Sequence, residues 1–390
     1  MKSLLLVLAA CASVSASGSD GPSSCRFDQT ALWPGYDGKF CKISPSVVSD
    51  GRGLAFMMYT KWLVGSSDVF YGQLVSRSED GGRTWSKPVE VDALADTHEF
   101  GLRTVRMASP YFSAKGSRWF GLGLKEYFKD DSRPIRTCID GRPYLVPLFL
   151  DFDPKTATFS GCREIDFPIR NEGCYPFGQI VEEANGDLLI PYHFHLPGAG
   201  RRSSVVVLRQ ALGASGLKVV RVGRVLSDET LKRGWGEPSL VRFKGRYYLT
   251  LRSNEYGAFA ESEDGLVYSA PRKWAWEDGS PIGNANTQQH WVPVGDRLFL
   301  AYTRVTPTNG HVFRNRAPIF VAEFDPARGC LLRATERVAV PERGARLGNF
   351  CVAPGANGES WLAVAEVMSP EGCSSRGSDN SIWFVRFYPH

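Results

Sequence analysis

Ser78-Glu79-Asp80-Gly81-Gly82-Arg83-Thr84-Trp85 fits the pattern Ser-x-Asp-x-Gly-x-Thr-Trp, and its reading decides the fold. Asp80-Gly81-Gly82 supplies the positive φ angles of a tight turn. Ser78 and Asp80 can cap the turn's own backbone, and Trp85 offers a broad apolar face to a neighbouring sheet. A turn of this kind closes the outer edge of a β-propeller blade. The motif is therefore structural, and any chemistry belongs at the central mouth of the ring. A degenerate copy, Ser262-Glu263-Asp264-Gly265 with Tyr268, keeps the turn and an aromatic anchor, while Asp153-Pro154-Lys155 and Asp325-Pro326-Ala327 stand at comparable points.

Between these turns one strand type recurs, a Gly-containing turn followed by an alternating or wholly apolar run of roughly seven residues. The copies fall at 54–59, 119–124, 187–193, 246–252, 296–304 and 359–367, each flanked by shorter apolar runs. Six such units predict an all-β, six-bladed β-propeller, one domain over residues 25–390. The 40 Gly and 24 Pro suit a turn-rich chain. Closure of the ring is expected from the C-terminal strand, 381–388, pairing with a strand from the first segment.

Residues 1–16 read as a signal peptide, with Lys2, a short apolar core from Leu4 to Cys11 and a small-residue cleavage site near Ala16. Leu8-Ala9-Ala10-Cys11 also resembles a lipobox, which would anchor the chain through Cys11. Either reading exports the protein, and the apolar run is too short for a membrane span. Eight cysteines then remain, an even number that argues for disulfides in an exported chain. Cys25 with Cys41 and Cys351 with Cys373 are the local pairings expected. No metal-ligand spacing or nucleotide fingerprint occurs, so no cofactor is expected. A net charge of +5 without a Lys/Arg run leaves no nucleic-acid footprint but suits an acidic sugar.

In an antiparallel blade the first strand begins and the second strand ends on the same face of the ring. Strand-one starts are Lys42, Arg106, Tyr175, Glu237, His290 and Asn349. Strand-two ends are Lys61, Lys125, Tyr192 with His193, Arg252, Tyr302 with Arg304, and Glu366. Charges at the ends of apolar strands are costly unless paired or used, so a polar funnel facing a ligand is expected.

The turn signature, the blade count and Gly236-Glu237-Pro238-Ser239-Leu240 with Arg252 at the end of the following strand resemble the sialidase superfamily. The resemblance implies that Glu237 activates the nucleophile and that Arg252 is one of three arginines gripping the substrate carboxylate. It implies that Asp68, in the loop before the turn signature, is the acid/base and that Glu366 steadies the first arginine. The family's first arginine sits in a Phe-Arg-Ile-Pro motif. Here Cys41-Lys42-Ile43-Ser44-Pro45 carries Lys42 instead, which keeps the charge and loses the bidentate fork. The third arginine is either Arg304 or one of Arg314 and Arg316. The nucleophilic tyrosine expected at the start of blade 6 is absent, since Leu347-Gly348-Asn349-Phe350 carries no hydroxyl. Either Tyr302, Tyr192 or Tyr175 replaces it from another blade, or the enzyme acts on a different sugar.

Three functions follow as alternatives. The first is an exo-acting glycoside hydrolase for a carboxylated sugar, a sialic acid or a uronate, with Asp68 and Glu237 catalytic and Lys42, Arg252 and Arg304 binding. Arg346, in Glu342-Arg343-Gly344-Ala345-Arg346, and Arg316 are further candidates for the clamp. The second is a polysaccharide lyase in which His290 and Tyr302, or His193, move protons. The third is a carbohydrate-binding propeller without catalysis. In each the partner is a glycan or acidic oligosaccharide and the chain is expected to act as a monomer.

Overall fold

The computed structural model describes residues 25–389 except Ser67, Ser132, Ala285 and Glu371. The signal peptide and Cys11 lie outside the described residues. These residues form six antiparallel sheets arranged as the blades of a propeller. Blade 1 runs outward through Phe40–Ser49, Ala55–Leu63, Phe70–Ser78 and Val89–Glu90. Blade 4 has the same plan in Gly236–Phe243, Arg246–Arg252, Gly257–Ser262 and Arg272–Lys273. Blade 3 (173–222) and blade 5 (290–340) each carry one additional short strand, and blade 2 (97–164) carries two.

Blade 6 closes the ring. Its first three strands, Phe350–Pro354, Ser360–Ala365 and Ile382–Tyr388, come from the C-terminus, and its outermost strand is Arg26–Leu32. Arg26 faces Tyr388 and Leu32 faces Ile382 in an unbroken register, so the two ends of the chain share one sheet as expected. Successive blades then pack face to face. One core cluster joins Met57 and Tyr59 of blade 1 to Trp361 and Phe384 of blade 6, and another joins Trp291 of blade 5 to Tyr248 and Phe259 of blade 4.

The opening motif behaves as its chemistry requires. Asp80 Oδ1 accepts the backbone N–H groups of Arg83 and Thr84 at 3.0 and 2.9 Å, and Oδ2 accepts the Thr84 hydroxyl at 2.6 Å. Trp85 meets Phe384 of blade 6 edge-on at 5.4 Å. Gly82 has φ +79, and a Cβ there would lie 3.1 Å from the Trp361 ring. Asp264 repeats the arrangement for the N–H groups of Leu266 and Val267, and Asp325 for Ala327 and Arg328.

The eight described cysteines are unpaired thiols. The expected local pairs do not form because their members lie in different cores. Cys25 packs with Val294 and Phe387, whereas Cys41 packs with Trp62; Cys351 borders the core of Trp361, whereas Cys373 lies with Cys41.

Asp80 touches nothing at the ring axis, so its role is confined to stability. Asp80→Ala removes the acceptor for two backbone donors and the hydroxyls of Ser78 and Thr84, which predicts a loss of about 1–3 kcal/mol. Thermal melts should show that loss, while binding and turnover at the axis stay unchanged.

Candidate active site

A cavity of about 1320 Å³ lies along the ring axis, with walls drawn from every blade. Asp68, Glu237, Arg252, His290, Arg316 and Arg346 line it. These six expected site residues come together at one place. Lys42, Tyr302, Arg304 and Glu366 do not.

Glu237 reaches the cavity because the register of blade 4 breaks between Gly236 and Ser239, a bulge that turns the strand's start toward the axis. Glu237 has φ +45 ahead of Pro238, a strained conformation costing about 1–3 kcal/mol of the kind that clusters at functional sites. Gly236 is required beside it, since a Cβ would fall 2.7 Å from His193 Cε1. The Glu237 backbone N–H donates to His193 Nδ1 at 3.2 Å. Its carboxylate accepts Arg252, whose other amino group donates to Asn286 Oδ1.

Arg316 lies against this pair. Its Nε and Nη2 donate to the Asn286 carbonyl at 3.2 and 2.6 Å, and it makes no ion pair among the described residues. Only 9% of it is exposed. Burial, with Arg252 adding repulsion, draws it down to about 9, far below the arginine range. Gly348 makes room for it: a Cβ there would lie 2.3 Å from Arg316 Cδ. Arg346 stacks on Trp62 at 4.8 Å and is also held below the usual range by burial, with Asp68 opposing. Asp68 itself is exposed on its loop at φ +61. Arg316 and Arg346 thus face the cavity with no ion-pair partner among the described residues, beside the pair of Glu237 with Arg252.

The residues that miss the cavity do so for two reasons. In blade 1 a bulge like that of blade 4 falls between Ile43 and Ser46, and it presents Ser44, at φ +50 before Pro45. Ser44 is the counterpart of Glu237. Lys42 is displaced, and its Nζ donates to the carbonyls of Trp33, Gly35 and Asn380 at 2.7, 3.2 and 3.0 Å. The strand-two ends of blades 5 and 6 instead form ion pairs within their own blades. Arg304 is bidentate to Glu336 at 2.8 and 2.7 Å, and the buried Tyr302 hydroxyl donates to the same carboxylate at 2.6 Å. Glu366, 1% exposed, takes Arg343 in two bonds of 2.7 and 2.9 Å. The arginine that Glu366 steadies is therefore Arg343, away from the axis. Lys61 and Lys125 are likewise occupied, by Glu90 and by Glu99 with Glu164.

Three histidines line the cavity, and two of them, His290 and His193, have different duties. Ser239 Oγ donates to Gln179 Oε1 at 2.8 Å, so the contact of 3.0 Å between His290 Nδ1 and Ser239 Oγ requires the imidazole to donate. Gln179 also bonds both the N–H and the carbonyl of Trp291. His290 thus belongs to a network tying the inner strands of blades 3, 4 and 5, and burial lowers it to about 4, keeping it neutral. His193, lowered well below the usual range by burial, accepts at Nδ1 from Glu237 N–H, and the Tyr175 hydroxyl lies 3.2 Å from the same atom. Burial first, and the Glu237 carboxylate next, push the Tyr175 phenol upward against Arg252, so it stays protonated. Tyr192, by contrast, is buried outside the cavity with its hydroxyl on Gln210 at 2.8 Å.

Glu126 and Arg136 form a further ion pair in the wall that the sequence reading omitted. Glu126 follows Lys125 directly. A shift of one residue along a strand reverses the side chain's direction.

No family model matches the chain, and no curated protein matches it. Solved structures do. A protein of unknown function from Dyadobacter fermentans DSM 18053 aligns with TM-score 0.66 at 14% identity, over 93% of this chain and 98% of that one. Trypanosoma rangeli sialidase in complex with sialic acid aligns with TM-score 0.62 at 14% identity, over 92% of this chain but 58% of the sialidase, so this chain spans little more than half its length. The NanB sialidase from Streptococcus pneumoniae aligns with TM-score 0.61 at 10% identity, over 92% of this chain and 70% of that one. Likeness at these identities is likeness of fold. The protein is a six-bladed β-propeller of the sialidase fold.

Proposed function

We propose that the protein is a glycoside hydrolase that removes a carboxylated sugar from the end of a glycan. The observation that carries this reading is the convergence of Arg252, Arg316 and Arg346 on one cavity beside Glu237 and Asp68. A substrate carboxylate supplies the anion that Arg316 and Arg346 lack, in charge-assisted bonds made out of bulk water. Lys42 and Arg304 have no part in this clamp.

Tyr175 is the nucleophile in this scheme. Among the tyrosines lining the cavity, it is the one subject to the fields of both Glu237 and Arg252. A neutral phenol suits an anomeric carbon that bears a carboxylate, because an anionic nucleophile would be repelled. The phenol oxygen attacks that carbon while its proton passes to Glu237. Asp68 protonates the departing glycosidic oxygen, then deprotonates the water that cleaves the glycosyl–tyrosine bond, while Glu237 returns its proton to the departing phenol oxygen. Arg252 holds the Glu237 carboxylate in position through their ion pair.

The contact between Tyr175 and His193 favours one second reading, a lyase acting on a uronate. Neutral His193 would accept the proton next to the uronate carboxylate, and the phenol would protonate the leaving oxygen. The two reactions give different products.

Incubation with sialylated and uronate-containing glycans should release a free carboxylated sugar. An unsaturated uronyl chromophore would replace the hydrolase with the lyase, and no product from either class would overturn catalysis on acidic sugars. Tyr175→Phe and Glu237→Gln should each lower kcat by about a hundredfold or more, with melting temperatures near that of the parent. Arg304→Lys should retain activity. Gly348→Ala moves Arg316 off its seat, and KM should rise by about tenfold with kcat little changed.

A further inference from the structure

The cavity mouth holds more cationic charge than one carboxylate can use. On the side formed by blades 3 and 4, Arg201 and Arg233 face the cavity, and neither makes an ion pair among the described residues. They lie on separate loops, 196–203 and 226–235.

The Arg233 loop is built to hold its place. Ser203 donates both its N–H and its hydroxyl to the Arg233 carbonyl, each at 2.9 Å. Trp235 N–H returns a bond to Ser203 O at 3.1 Å. Gly234 between them has φ +64, and a Cβ there would lie 2.1 Å from Ser203 O, so this approach of two backbones requires glycine. Leu231 and Trp235, on either side, are buried in the core of blade 4. The Arg201 loop is fixed by Glu172, whose Oε1 accepts the Gly198 N–H at 3.2 Å. Arg233, exposed at the mouth, therefore projects from a fixed platform with Arg252 and Arg201 as cationic neighbours and Glu237 opposing them. Holding guanidinium groups near one another at the rim of a cavity concentrates positive potential there, and an anion bound between them relieves the repulsion.

We propose that Arg201 and Arg233 form a second anion subsite, and that the preferred substrate carries a negative group, carboxylate or sulfate, on the sugar next to the one held by Arg252, Arg316 and Arg346. The inference rests on the hydrolase reading above and narrows its substrate to an acidic oligosaccharide. A glycan whose second sugar is neutral leaves this subsite without its anion.

The test is direct binding to the full-length Tyr175→Phe protein, so that turnover does not interfere. Three probes are compared: a sialylated neutral disaccharide, an α2,8-linked disialic acid, and the sialylated disaccharide sulfated on its second sugar. At least one of the two dianionic probes should bind about tenfold more tightly than the monoanionic one, as expected for one added charge-assisted contact. Which of them gains identifies carboxylate or sulfate as the second group. Combining Arg201→Gln with Arg233→Gln should bring that ratio close to one, with the melting temperature near the parent's. Equal binding of all three probes by the parent overturns the second subsite alone, as does a preference that survives the double substitution. Failure of every probe to bind overturns the carboxylate clamp and this inference together.

Discussion

Pairing of Arg26–Leu32 with Ile382–Tyr388 is the contact on which the rest of the molecule depends. It joins segments some 350 residues apart, and it converts a row of sheets into a ring with one axis. Only a closed ring brings the inner-strand starts of all the blades to a shared cavity. Closure also covers the blade faces that an open array would expose at its two ends. The outermost strands of blades 1 and 4 are two residues long, too short to template another chain.

The fold was legible because its signals are local. Ser78 to Trp85 sets a turn with its own side chains, and glycine turns with apolar runs mark each second strand. Part of the cavity lining was legible for the same reason: Glu237 and Arg252, singled out by a short motif and the strand after it, both line it, whereas the third arginine stayed open between Arg304 and the pair Arg314 and Arg316. Lys42 was misread because a bulge inserts between Ile43 and Ser46, and one-letter spacing does not reveal which residue a bulge turns inward. Arg304, Tyr302 and Glu366 were misread for another cause. The end of a strand fixes where a side chain starts, but an oppositely charged partner elsewhere decides where it goes, and Glu336 and Arg343 come from outside the second strands. The disulfide pairs failed similarly, since closeness in sequence did not put Cys25 and Cys41 in one core.

The electrostatic design separates stability from function. Charges at the blade edges are matched, as in Arg304 with Glu336 and Arg343 with Glu366 and Asp379. At the axis the matching is deliberately incomplete. A buried guanidinium without an anion is unfavourable, and Arg316 keeps its place through the Asn286 carbonyl and the space left by Gly348. Such a site is prepared for an anion before the anion arrives, so little reorganisation accompanies binding. The pair of Glu237 with Arg252 prevents the nearest carboxylate from filling that role by moving onto Arg316.

The place of the phenol follows from the same geometry. Blade 6, where the sialidase resemblance calls for a tyrosine, presents Asn349, which donates to Ser44 Oγ at 3.3 Å. Blade 3 presents Tyr175. Because inner strands enter the cavity from all sides at similar depth, a catalytic group is constrained by its distance from the axis and by the charges around it more than by the blade that carries it. Tyr175 meets both conditions: it faces the cavity, and burial beside Glu237 keeps it neutral. In the proposed reaction, a nucleophile carried by blade 3 instead of blade 6 would attack from a different direction relative to Asp68, and would require a different face of the sugar ring to be turned toward the phenol. In that reading the arrangement of Arg252, Arg316 and Arg346 around a bound carboxylate would decide which linkage is presented for cleavage.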